Sequence, residues 1–217
     1  MKEQLSLVES YHECLQFLAD YTWQGIGLLL FYLITIAFVV YFFSEIYADK
    51  YDISTKTKWF VIAIGMMFGL LDMYFGESMI HFPIWGILAL FLYIDWKYQD
   101  LPDAMNAVIA VLAIPVVAHS FFNASSYLDW TLLTSVTLFI FFLIIAILGP
   151  LGGGDIKMMA AIGLYFPLYE APQLIFFGIA VGFIHAIGLL VFTKAGMKSK
   201  FAFGPGLIVG VLLASIF

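Results

Sequence analysis

Residues 130–157 read WTLLTSVTLFIFFLIIAILGPLGGGDIK. The stretch 130–148 carries no charge, and a helix needs about 20 such residues to cross the hydrocarbon core of a bilayer. Gly149 and Pro150 end the run. Three glycines, Gly152, Gly153 and Gly154, then lead to a carboxylate, Asp155, at the head of another apolar segment, 156–166. An uncharged run followed by a polar turn predicts an all-α, polytopic membrane bundle with its chemistry at the ends of spans.

Working outward, the pattern recurs at 25–43, 59–75, 82–94 and 104–122 before this stretch, and at 172–192 and 201–217 after it. The expectation is about eight transmembrane segments. The shortest, 156–166, reaches only about 17 Å as a helix. Composition agrees: of 217 residues, 64% are hydrophobic and 11% charged, against roughly a quarter charged in an average soluble domain. Mean hydropathy is +1.03. The chain divides into an amphipathic N-terminal segment (1–22), two helices joined by a short loop (23–81), and a core of six segments (82–217). In the first of these, Leu5, Val8, His12, Leu15 and Leu18 recur at helical spacing, as in a helix lying on a membrane surface.

All nine basic residues are lysines. Eight alternating spans put the loops at 44–58, 95–103, 149–155 and 193–200 on one side, and every lysine except Lys2 falls in or beside them. The positive-inside rule makes that side cytoplasmic and leaves both termini outside. No basic stripe interleaved with aromatics exists, which argues against nucleic-acid binding. Cys14 is the single cysteine, so no internal disulfide or multi-cysteine zinc site is available. No metal or cofactor is expected.

Charge is costly in a membrane, so carboxylates at span ends raise a functional question. Asp95 closes the third segment and Asp155 opens the sixth, with two spans between them. The chain therefore returns to the same membrane face, and the two carboxyls can meet. A close carboxylate pair shares a proton. Its ionised member can take a proton from water, while its protonated member donates to the oxyanion and the leaving amine. The glycines before Asp155 let backbone approach backbone closely, although no Gly-Lys-Ser/Thr follows to make a phosphate loop.

Asp95, then Leu101-Pro102-Asp103, then Gly152-x-Gly154-Asp155-x-Lys157, and finally Phe203-Gly204-Pro205 together resemble the type IV prepilin peptidases. These are membrane aspartyl proteases of the G-x-G-D class, related to archaeal preflagellin peptidases. The resemblance implies that Asp95 and Asp155 are the catalytic aspartates of a hydrolase acting at the cytoplasmic face of the inner or plasma membrane. It implies pilin-like precursors as substrates, cut after a short basic leader. Many bacterial relatives insert a region with two cysteine pairs after the first span, linked with zinc and N-methylation. The short 44–58 loop has no cysteine, so the methyltransferase activity is not assigned.

The remaining polar residues have plainer readings. Asp103 is expected to cap the fourth helix, and Asp100 to be a solvated loop charge. Lys157 either steers Asp155 or contacts lipid phosphate. Asp72 and His185 are intramembrane ionisable groups, read as functional candidates or as polar contacts between helices. Pro115 and Pro205 are placed to kink or open helices. A transporter or proton channel using intramembrane carboxylates is the alternative function.

Overall fold

The computed structural model describes residues 26–75, 82–149, 151–192 and 203–217. The amphipathic segment expected at 1–22 lies outside these residues. Every regular element among them is helical: α1 (Ile26–Ile46), then α2 (Ala48–Tyr51), α3 (Thr55–Phe75), α4 (Phe82–Tyr98), α5 (Asp103–Leu112), α6 (Ile114–Asn123), α7 (Thr131–Leu148), α8 (Gly153–Gly163), α9 (Ala171–Phe192) and α10 (Gly204–Ile216). Five stretches among the described residues are long and apolar enough to cross a membrane: α1, α3, the α5–α6 rod, α7, and Leu168–Gly188 within α9 and the turn before it. On α1, Phe31, Ile34 and Phe38 are each about two-thirds exposed. Such a stripe marks an interaction surface, and acyl chains suit it. These features point to a multi-pass membrane protein.

The core is built around α4. Ile84, Trp85, Ile87, Leu88, Leu90 and Phe91 are all fully buried, as befits a helix that is apolar all round. It packs against α3, α5 and α10. A second close contact joins α9 to α10 through small residues one turn apart. A Cβ on Gly206 would sit 2.6 Å from the Gly182 Cα, and one on Gly210 would sit 2.6 Å from the Gly178 Cα. Only glycine allows backbones this near, the packing used where helices associate in lipid.

The fourth segment breaks at Ala113, as the placing of Pro115 suggested: that proline enters the first turn of α6 and cannot donate to the preceding turn. Two local expectations need correction. The 44–58 region is mostly helical rather than an open loop, because α1 continues to Ile46, α2 forms one turn and α3 begins at Thr55. Asp103 does not cap α5. The cap position belongs to Pro102, in extended conformation without a side-chain bond, and Asp103 is the first helical residue.

Candidate active site

Three helix ends converge on one point. Asp95 lies in the last turn of α4, just past the apolar run 82–94. Asp155 is the third residue of α8, ahead of the run 156–166, and Gly204 is the first of α10. Both carboxylates lie outside the five crossing stretches, yet Asp95 is only 5% and Asp155 6% exposed. A Cβ built on Gly204 would lie 2.6 Å from Asp95 Oδ2 and 3.3 Å from Asp155 Oδ1. The two oxygens are therefore no farther apart than those two lengths laid end to end.

Each carboxyl is held by one backbone donor. The Gly204 N–H donates to Asp95 Oδ2 at 3.0 Å, and the Gly152 N–H donates to Asp155 Oδ2 at 3.2 Å. The second bond closes the N-terminus of α8 through a carboxylate in its first turn. Asp155 Oδ1 is buried with no partner among the described residues, a condition that costs about 1–3 kcal/mol for a polar group. Burial pushes the Asp155 carboxyl up to about 7, and the neighbouring Asp95 charge adds to it. Burial likewise pushes Asp95 up to about 6, against the opposing pull of the Gly204 N–H. The pair therefore holds one proton between its two members at a pH where free carboxyls are ionised.

A cavity of about 460 Å³ opens over the pair, with Lys50, Gln99, Asp100, Leu101, Asp103 and the glycines 152–154 in its wall. Its outer wall is tied down in ways the sequence concealed. Gln99 takes a left-handed conformation (φ 54°) and turns the chain sharply after α4. Asp100 is a half-exposed loop charge that also has partners: the Tyr51 hydroxyl donates to its Oδ2 at 2.5 Å and Lys50 Nζ at 3.0 Å. The Tyr51 bond first, and the Lys50 bond second, hold the Asp100 carboxyl below the usual range. The Tyr98 hydroxyl donates to the Tyr51 carbonyl. Leu101 packs against Gly154, where a Cβ would fall 2.9 Å from the Leu101 Cβ.

Lys157 Nζ donates to Asp103 Oδ2 at 2.7 Å rather than to Asp155. Pro205 is buried in the first turn of α10. Asp72 accepts from the Trp85 indole at 2.9 Å, and His185 stacks on Trp96 with ring centroids 5.5 Å apart. One polar residue escaped sequence reading altogether. Asn106, one turn past Asp103 on α5, is 5% exposed, and neither end of its amide has a partner among the described residues. No group of three or more metal-ligating side chains occurs among the described residues.

Residues 80–187 match the model of the type IV leader peptidase family, a range that holds Asp95 and Asp155 and stops short of Gly204. A protein named prepilin leader peptidase/N-methyltransferase from Neisseria gonorrhoeae is 28% identical over 171 residues, covering 72% of this chain and 56% of that protein. One of the same name from Bacillus subtilis (strain 168) is 25% identical over 159 residues, covering 70% of this chain and 62% of that protein. The chain thus spans 56% to 62% of the length of these curated relatives. No solved structure matches it significantly.

Proposed function

Because this chain belongs, through residues 80–187, to the type IV leader peptidase family, we propose that it is a membrane aspartyl endopeptidase that removes the basic leader from pilin-like precursors. The observation that carries the reading is the meeting of two buried carboxyls at Gly204, with Asp155 Oδ1 left unsatisfied beside Asp95. In its ionised form Asp95 takes a proton from a water set between the pair. The resulting hydroxide attacks the scissile carbonyl, and Asp155 gives its proton to the developing oxyanion. On collapse Asp95 delivers its proton to the departing amine nitrogen, the C–N bond breaks, and one hydroxyl of the intermediate returns its proton to Asp155 as the carboxylic acid forms. Backbone donors at Gly204 and Gly152 fix both carboxyls, so little reorganisation is needed at the moment of reaction.

The proposed topology has eight segments, the apolar runs 82–94, 156–166 and 201–217 completing the five long ones, with both termini outside and the site at the cytoplasmic face. Its support is the lysine distribution, since Lys50, Lys56, Lys58, Lys97 and Lys157 all lie in or beside the loops of one side. The peptidase core spans 82–217. N-methylation is left out of the reading because the 44–58 region has no cysteine. No step calls on a cofactor.

The test is cleavage of a pilin-like precursor in proteoliposomes by wild type, Asp95→Asn and Asp155→Asn. Both variants should lose at least 10³-fold in kcat while staying folded, with thermal stability no lower than that of wild type. Cleavage surviving either substitution removes that aspartate from the mechanism.

A further inference from the structure

Three open depressions lie in succession along the α5–α6 rod and share residues of their linings. The aspartate cavity and a second one, of about 360 Å³, share Asp103. The second shares Ala110 and Leu164 with a third, of about 410 Å³, which reaches Phe122 and Trp130. The break at Ala113 falls one turn past the shared Ala110. From Asp103 to Phe122 the rod rises about 28 Å at 1.5 Å per residue, close to the thickness of the hydrocarbon core.

Beyond the Asp103–Lys157 pair, the second cavity has two polar side chains in its lining. The Ser135 hydroxyl is engaged with the Ala160 carbonyl at 2.7 Å. Asn106 is engaged with nothing among the described residues, although it is 5% exposed. A side-chain amide offers N–H donors and a carbonyl acceptor, the complement of one peptide unit. An acyl chain could line the apolar wall but has nothing to offer that amide.

Resting on the peptidase reading, we propose that this track holds the apolar segment of the substrate beyond the scissile bond, and that Asn106 hydrogen-bonds the substrate backbone just past the point of cleavage. The occupant follows from the lining shared with the aspartate cavity, the length of the track and the unmet amide. Asn106 is then a substrate-binding residue, and Asp103 marks the point where the track meets the cavity.

The experiment compares wild type, Asn106→Leu and Ala107→Trp in proteoliposomes. The substrates are a pilin-like precursor with its full apolar segment, a soluble peptide carrying the same cleavage site but truncated soon after it, and a precursor with one peptide bond past that site replaced by an ester. Ala107 is exposed in the wall of the second cavity, so tryptophan there fills the track without disturbing the core. Ala107→Trp should lower kcat/KM on the full precursor roughly tenfold and leave the truncated peptide within about twofold. Asn106→Leu should raise KM on the precursor about tenfold and abolish the penalty that the ester imposes on wild type. Full processing by both variants, or an ester penalty that persists in Asn106→Leu, would overturn the assignment. Losses that vanish when detergent replaces the bilayer would give the track to lipid instead. Wild type inert toward every substrate would remove the peptidase reading, and this inference with it.

Discussion

Replacing Gly204 with alanine adds one methyl group at the point where the two carboxyls meet. That Cβ would fall 2.6 Å from Asp95 Oδ2, 3.2 Å from Asp95 Cγ and 3.3 Å from Asp155 Oδ1. Ordinary contact requires about 3.4 Å, so the Asp95 carboxyl and the start of α10 must separate by roughly 0.8 Å, stretching the Gly204 N–H bond to Asp95. A misplacement near 1 Å at reacting groups costs about 10²-fold in rate. Folding should not suffer: no glycine among the described residues has positive φ, and alanine is favoured over glycine in a helix by about 1 kcal/mol. The assay is kcat for precursor cleavage in proteoliposomes, with thermal unfolding measured on the same preparations. Gly153→Ala, where an added Cβ meets nothing within 4 Å, is the control and should cleave at the wild-type rate. Gly204→Ala cleaving within threefold of wild type would refute the claim that this glycine keeps space between the aspartates.

The pH dependence of kcat/KM should be bell-shaped over the range in which the buried pair holds one proton, because burial raises both carboxyls; a flat profile from pH 5 to 8 would contradict the shared-proton mechanism. Both carboxyls titrate above their unfolded value of about 3.9, so their contribution to stability is complete below that pH and lost as pH rises through 6 to 7. Asp155→Asn should therefore gain thermal stability relative to wild type between pH 5 and 8, as read by unfolding scans across that range. Gly154→Ala should slow cleavage about tenfold by forcing the Leu101 connector away from α8. Adding Leu101→Ala should restore nothing, because the obstructing atom is the Leu101 Cβ itself. Lys157→Met breaks an ion pair whose side chains are 54% and 69% exposed, and the stability loss by thermal unfolding should stay under about 1 kcal/mol.

Asp95 and Asp155 could be singled out from sequence because a chain this apolar makes every carboxylate conspicuous, and because counting spans returns both to one face. What joins them could not be read that way. Gly204 lies 109 residues beyond Asp95, and nothing in Phe203-Gly204-Pro205 announces that its backbone N–H serves a carboxylate. Asp103 looked like a helix cap because aspartate favours that position. Pro102 takes the position instead, and the carboxylate turns to Lys157. Asp100 was legible as a loop charge from its polar neighbours in sequence, but its partners were not, since they come from α2, half a hundred residues earlier. Asn106 gave no signal at all: an asparagine in a helix is ordinary, and only tertiary packing shows that both ends of its amide are buried without partners. The five long helices followed from hydropathy, and Pro115 marked the break at Ala113, although a proline in a first turn fits either a kink or a new start.

The bond from Gly204 to Asp95 also bears on how this protein comes into being. Ribosomes release residues in order, at about 5–20 each second, and α10 is the last described element to leave. Until it docks on α9 through Gly178, Gly182, Gly206 and Gly210, the Asp95 carboxyl lacks its backbone donor and the space between the aspartates has no wall on that side. On the proposed mechanism, a nascent chain therefore carries both acids for some seconds without the arrangement that would let them cut, and activity would begin only once α10 has docked.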